Sequence, residues 1–406
     1  MTNPQSASVF PLHRQVSGRS VELFSGCGGL AMGLSLAGFS HELLVERNAQ
    51  ACATLAHNKV RKAAHARHWN VRSDDVRAID WTVFADSLDL VAGGPPCQPF
   101  SVGGKAIGNE DERDMWPEAV RAVRETQPSA FLFENVRGLL RPKFADYVQW
   151  IAACLAHPRL ARRLGESHQM HLLRLRRAGD DAQYFVQVVP VNAADYGAPQ
   201  KRNRVLFVGF RKDMFREVPA FPAPTHSQAR LTWDKWVSGE YWARHGLPKP
   251  GDDSVPAHEI KSVEKLRENF FAPTGKAWLT CRDALAGIGE PGTRHDVLNH
   301  KFQAGAKAYA GHTGSPIDEP AKALKAGVHG VPGGENMLLR EDGTVRYFSV
   351  REAARLQGLP DDFEFPGSWT ESMRQLGNAV PVQLARFAGE WIATQVGETV
   401  KRDKVA

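Results

Sequence analysis

Gly93-Gly94-Pro95-Pro96-Cys97-Gln98-Pro99-Phe100-Ser101 is the stretch that most restricts how this chain can fold. It follows Leu88–Ala92, an apolar run too short for a helix and so read as a buried strand. Two glycines and two prolines then forbid regular structure, which puts Cys97 on a constrained turn at the strand's carboxyl end. In an open α/β sheet, that edge is where ligands bind. A free thiol of pKa about 8.5 is only a few per cent thiolate at pH 7, a handicap of roughly 2 kcal/mol that a cation or an oriented turn removes. Most cysteines are small buried hydrophobes. The fixed loop, with polar Gln98 and Ser101 beside it, favours a nucleophile at Cys97 instead.

The same strand-and-loop pattern occurs upstream. Ser20–Phe24 reads as a strand, Ser25-Gly26-Cys27-Gly28-Gly29 as a turn, and Leu30–Ala37 as a helix. Glycines at that junction let the backbone approach a ligand at the positive end of the helix dipole. Gly26, Gly28 and Ala31 satisfy G-x-G-x-x-A, and a second strand, Glu42–Val45, ends at Glu46, whose carboxylate suits a ribose diol. These residues alone do not separate NAD from another nucleoside cofactor. Strand Ala130–Phe133 delivers Glu134 to the edge that holds Cys97. After strand Phe185–Pro190, the alternation of Gln200, Arg202 and Arg204 directs three hydrogen-bonding side chains to one face as strand Val205–Phe210 begins. The expected fold is α/β, a doubly wound Rossmann-like sheet. The arginines between Arg159 and Arg177 read as a solvated helix face.

Near Lys212 the composition changes. Pro219, Pro222 and Pro224 mark a linker over 213–230, and the next stretch is irregular, rich in glycine, lysine and tryptophan. The chain of 406 residues is therefore read as a flexible arm (1–18), a catalytic and cofactor-binding domain (19–212), a smaller loop-rich domain (213–374) and a final helix (375–406). The excess of 51 basic over 45 acidic side chains, +6, permits a polyanionic partner without requiring one. Five widely spaced cysteines with no C-x-x-C pair support neither a disulfide framework nor a zinc site, and no metal is expected. With no apolar run of ~18 residues and no signal-like start, the expected compartment is the bacterial cytoplasm, at the nucleoid, with no membrane partner.

Phe24-Ser-Gly-Cys-Gly-Gly, the Pro-Cys97-Gln loop, Glu134-Asn-Val, the Q-x-R-x-R strand from Gln200 to Arg204, FSVREAARLQGLPDDF from Phe348, and Gly377-Asn-Ala-Val-Pro stand in this order. So arranged, from about Ser20 to Val396, the chain resembles the C5-cytosine DNA methyltransferases. The resemblance implies S-adenosyl-L-methionine as cofactor, S-adenosyl-L-homocysteine as product and double-stranded DNA as substrate. It implies a cofactor site at Phe24, Gly26, Cys27, Gly28, Gly29, Glu46, Arg47, Asp75, Val76, Pro96, Asn378 and Val380. Catalysis falls to Cys97, which adds to C6 of a flipped-out cytosine, with Glu134 at N3, Arg204 on the base and Arg202 organising the pocket. For Glu134 to donate a proton at pH 7, a carboxyl of ordinary pKa about 4.3 needs help of roughly 3 to 4 kcal/mol from burial and from the base.

Residues 213–374 correspond to the family's target-recognition domain, with Lys322–Glu335 as the DNA-facing stretch. Gln98, Ser101, Gln200, Lys322, Lys325 and His329 are its expected DNA contacts. The final helix, with Asn378 at its start, is expected to return to the first domain. Many family members have a serine, which helps occupy the space left by the flipped base, where this chain has Gly103. A bacterial restriction-modification enzyme acting as a monomer on DNA, with a cognate endonuclease as genetic partner, fits best. A tRNA cytosine methyltransferase lacks support because the Cys-Phe-Thr motif of that branch is missing. A silent DNA-binding relative is expected to lose Cys97 or Glu134, and an NAD-dependent oxidoreductase leaves the Cys97 loop without a role.

Overall fold

The computed structural model describes residues 18–96, 114–327 and 334–403. Strands β1 (Gly18–Leu23), β2 (Phe39–Glu46), β3 (Val71–Ser73), β4 (Leu90–Gly93), β5 (Ala130–Val136), β6 (Tyr184–Asn192) and β8 (Asn203–Arg211) form one sheet, ordered β3-β2-β1-β4-β5-β8-β6. The short β7 (Gln200–Lys201) lies outside it and pairs with Ala321–Lys322. The first five strands run parallel, and β8 runs antiparallel between β5 and β6. The carboxyl ends of β1, β2, β4 and β5 therefore share an edge with the amino end of β8. That reversal sets Arg204 opposite Val136.

Helices α1 (Gly29–Leu36), α2 (Ala49–Val60), α3 (Trp116–Thr126), α4 (Ala145–Ala156) and α5 (His168–Ala178) accompany the sheet. Both faces are covered, which is why the central strands read as continuous apolar runs. Val91, Phe131, Phe133 and Phe207 share one core with Trp116 and Trp150, whereas Leu90, Ala92, Leu132 and Leu206 share the other with Leu34 and Trp391.

The helix Val382–Asp403 supplies much of that second core and lies against α1. A side chain at Gly33 would bring its Cβ within 2.4 Å of Ala385 Cβ, so glycine is what lets the two helices touch. Asn378 does not start this helix, contrary to the sequence expectation. It is the exposed last residue of the helix Trp369–Asn378. Pro381 disfavours helical backbone at Val380, and the next helix begins only at Val382.

Between residues 213 and 347 the elements are short, including helices Glu240–Arg244, Ile260–Arg267 and Cys281–Leu285. Trp236, Trp242 and Trp278 pack with Leu231, Tyr241 and Val263 into a small core of their own. The helix Val350–Leu356 opens with the expected capping box, Ser349 and Glu352. It buries its face with Cys27, Ala31, Leu55 and Trp69, the underside of the first glycine turn. Among the described residues no helix is long and apolar enough to cross a membrane.

One buried histidine makes this sheet sensitive to acid. His41 on β2 places Nε2 3.0 Å from the Ala31 carbonyl and Nδ1 3.0 Å from the Ser20 hydroxyl. The carbonyl only accepts, so Nε2 carries the proton and Nδ1 takes the hydroxyl's. Burial lowers the His41 pKa to about 4. The unfolded chain then binds the extra proton first, so this contribution is complete above about pH 6.5 and is lost as pH falls toward 4, amounting to about 3 kcal/mol. The urea midpoint should fall between pH 6.5 and 5, and His41→Leu should flatten that slope.

Candidate active site

Phe24, Glu46, Arg47, Asp75, Val76 and Pro96 come from four separate segments of sequence and line a single cavity of about 80 Å³. Val45, Asp74 and Met115 complete its wall. The Glu46 carboxylate accepts from the Gly26 amide at 2.8 Å through Oε2 and from the Asn48 amide at 2.7 Å through Oε1. Strand β2 thus holds the glycine turn open from beneath. Phe24 has φ 58, a left-handed conformation that a bulky residue adopts only when its surroundings impose it. Such outliers cluster at ligand sites, and Phe24 is on the cavity wall.

Gly28, at φ 87, caps α1, and a Cβ there would meet the Trp69 ring at 2.7 Å. Left-handed strain and the clash together should make Gly28→Ala cost roughly 2–4 kcal/mol. The unfolding midpoint should drop, and cofactor affinity should weaken with it, as calorimetry would measure.

Asp75 was expected from the resemblance, and its environment explains its state. Oδ1 accepts from the Arg77 amide at 3.0 Å and Nε at 2.9 Å, and Oδ2 pairs with Arg77 Nη2 at 2.7 Å and Arg47 Nη1 at 3.4 Å. The Arg77 guanidinium holds this carboxyl far below the usual carboxylate range, so Asp75 is an ionised acceptor at neutral pH. Arg77 and Met115 were not foreseen. Arg77 follows Asp75 by two residues, a spacing that signals a local ion pair.

At the same sheet edge, Glu134 Oε1 lies 2.5 Å from Arg204 Nε, with the side chains only 9% and 13% exposed. The β5–β8 register makes this pair, because two residues past Glu134 the strand lies opposite Arg204. Asn135 donates from Nδ2 to the Pro95 carbonyl at 3.0 Å, fastening the Gly-Gly-Pro-Pro loop to β5. A Cβ at Gly94 would sit 3.9 Å from Glu134 Oε2, so the loop leaves the sheet directly over the carboxylate. Cys97, Gln98, Ser101 and His329 lie outside the described residues.

Several expected contacts are relocated. Gln200 is fully buried, with Oε1 accepting from the Leu324 amide and Nε2 donating to the Leu356 carbonyl, so its side chain is spent inside the protein rather than on DNA. Arg202 is also buried, donating to the carbonyls of Leu324 at 2.9 Å and Gly377 at 2.7 Å. It is a positioning residue that ties two distant segments beside the Glu134–Arg204 pair, not a group presented to a reacting atom. The strand alternation identified these side chains, but only the tertiary fold gave Gln200 backbone partners in place of DNA and Arg202 the carbonyls that it clamps.

Cys27 directs its thiol to the Gln375 carbonyl at 3.7 Å, and burial pushes the thiol up to about 12. Only its backbone is left to face a ligand. Gly29 serves packing, since a Cβ there would lie 2.5 Å from the Val380 carbonyl. Val380 is itself buried in the core of the second sheet face. Lys325, exposed, pairs with Glu335 at 2.7 Å, and the half-buried Lys322 places Nζ 3.1 Å from the Thr313 hydroxyl.

The cavity therefore combines an aromatic wall, a carboxylate braced under a glycine turn and a second ionised acid, an acceptor set that fits a nucleoside bearing a ribose diol and an amino group. Beside it lies a carboxylate–guanidinium pair under a proline-fixed loop. The C-5 cytosine-specific DNA methylase family profile matches residues 18–157 and 160–394. The chain is 32% identical over 383 residues to the type II methyltransferase M.NgoMIV of Neisseria gonorrhoeae, covering 92% of this chain and 96% of that one. It is also 32% identical to the type II methyltransferase M.PspPI of a Psychrobacter strain, over 94% of this chain and 80% of the relative. Among solved structures, the S. pombe Dnmt2 methyltransferase shares the fold with a TM-score of 0.51 at 17% identity, covering 93% of this chain and 98% of the other.

Proposed function

The chain belongs to the C-5 cytosine-specific DNA methylases, and on that premise we propose that it methylates C5 of a cytosine flipped out of a short, specific duplex sequence. The observation that carries this reading is the Glu134–Arg204 pair at 2.5 Å, set under the loop that leads to Cys97 and next to the cavity of Phe24, Glu46 and Asp75. Phe24 would pack on the adenine of S-adenosylmethionine, Asp75 would accept from its amino group, and Glu46 would bind the ribose. Bound there, S-adenosylmethionine supplies an electrophilic methyl group.

The rest of the chemistry falls to the chain's own side chains. Aromatic C5 is a poor nucleophile, so the ring must first gain electron density. The Cys97 thiolate adds to C6 while Glu134 shares a proton with N3, and the ring becomes an enamine with a nucleophilic C5. Once C5 carries its methyl group, loss of the C5 proton and β-elimination of the thiolate release the base. Arg204 neutralises Glu134 before the base arrives and lies within reach of the ring, and the Arg202 clamp holds that strand in place. A stacked base hides C6, so the cytosine must leave the duplex at a cost of a few kcal/mol. Contacts from residues 213–374, the proposed recognition domain, offset that cost.

The type II methyltransferase relatives support a role in restriction-modification, with a cognate endonuclease as genetic partner. The test is transfer of labelled methyl from S-adenosylmethionine to unmodified genomic DNA, followed by bisulfite sequencing. Methylated cytosines confined to one short sequence are expected. Cofactor binding without transfer to any DNA would overturn the proposal.

A further inference from the structure

A larger cavity, of about 270 Å³, opens at the opposite edge of the sheet from the site just described. Its wall includes Arg211 at the end of β8, Tyr184 at the start of β6, Gln127 just beyond α3, and Arg159 and Lys212. From Arg204 it is about 23 Å away along β8. Neither the cofactor cavity nor the Glu134 pocket makes use of it.

Four cations, Arg124, Arg159, Arg211 and Lys212, line this space, against a single lining carboxylate, Asp213. Arg211 is paired with Asp213 at 2.9 Å and Asp86 at 3.2 Å, and Arg124 with Glu125 at 3.4 Å. The other two cations differ. Among the described residues, the side chain of Arg159 donates to the Gln127 side-chain oxygen alone. Lys212 Nζ has the Asp180 carbonyl at 3.4 Å and the face of the Phe185 ring at 5.2 Å. Among the described residues neither pairs with a carboxylate, so two positive charges, the exposed Arg159 and the half-buried Lys212, line the cavity without one.

Their placement is prepared rather than loose. Gln127 takes a left-handed conformation, φ 48, at the end of α3. Its side-chain oxygen fixes Arg159, and its carbonyl accepts from Arg211 Nη1 at 2.6 Å. One residue thus orients two guanidinium groups along one wall, and Tyr184, its hydroxyl pinned to the Pro128 carbonyl at 2.8 Å, forms another. Planar guanidinium forks match phosphate oxygens in pairs, and an ammonium adds a point charge.

We propose that this cavity is a second ligand site, which binds a small phosphate-bearing anion through Arg159 and Lys212. The recess is concave and lies at the far edge from the cytosine pocket, which favours a small ligand over the convex backbone of a duplex.

The full-length protein titrated with inorganic pyrophosphate at constant ionic strength should show one saturable site by calorimetry. The double variant Arg159→Gln, Lys212→Gln should weaken that binding at least tenfold, with the unfolding midpoint and the rate of methyl transfer unchanged. Absence of saturable binding, or binding equally tight in the double variant, would overturn the proposal. Displacement of bound pyrophosphate by a short DNA duplex would overturn it too, assigning the surface to nucleic acid instead.

Discussion

Replacing Cys97 by alanine should lower kcat for methyl transfer by at least about 10⁴-fold, equivalent to about 5.4 kcal/mol of activation free energy. Removing one sulfur atom leaves the base pocket's charges in place, so duplex affinity should stay within a few-fold of the parent. The two readouts diverge because the thiolate supplies a covalent bond that raises electron density at C5, and binding alone does not. Single-turnover transfer with saturating cofactor, measured beside DNA affinity, tests this directly. Turnover retained within tenfold would remove Cys97 from the nucleophile's role.

Glu134→Gln should reduce kcat by roughly 10²–10⁴-fold, the range in which a positioned proton donor contributes. The glutamine keeps the shape but cannot take up a proton and share it with N3. It also leaves Arg204 without the partner it meets at 2.5 Å in a pocket where both side chains are largely buried. The KM for DNA should change far less than kcat, since the loss falls on the reacting ring. Steady-state kinetics across pH 6 to 9 would check this, and a larger effect on KM than on kcat would assign Glu134 to binding instead.

Much of the site was legible because it sits on strand ends. An apolar run followed by glycine or proline marks where a parallel strand stops, and the carboxyl edge of such a sheet collects what those stops carry. The strand ends point to Glu46, the resemblance adds Phe24, Asp75 and Pro96, and these four line one cavity. Glu134 and Arg204 were paired in function before their register was known, and the antiparallel β8 places them in contact.

Side chains that turn inward share a different cause. Gln200 was expected to meet DNA, and Cys27 and Gly29 the cofactor, yet the side chains of Gln200 and Cys27 and the space beside Gly29 are taken up by the protein itself. A polar or small residue beside a site looks the same in sequence whether it faces the ligand or the second layer behind it. Only the positions of Leu324, Gln375, Gly377 and Val380, from the far end of the chain, separate the two cases. Asn378 does not open the last helix for a local reason, since Pro381 postpones that helix beyond it.

By itself, then, the sequence determined the covered α/β sheet, the order of its strand-end loops and the chemistry those loops carry. The sheet and its loop order follow from short-range rules about periodicity and backbone breakers, and the chemistry from the motifs' resemblance to the family. The tertiary structure alone decided which of the neighbouring polar groups is free to meet a ligand. It also assembled the paired and unpaired cations at the far edge of the sheet. Both depend on contacts between residues far apart in the chain, and no local pattern encodes which buried donor will find which carbonyl.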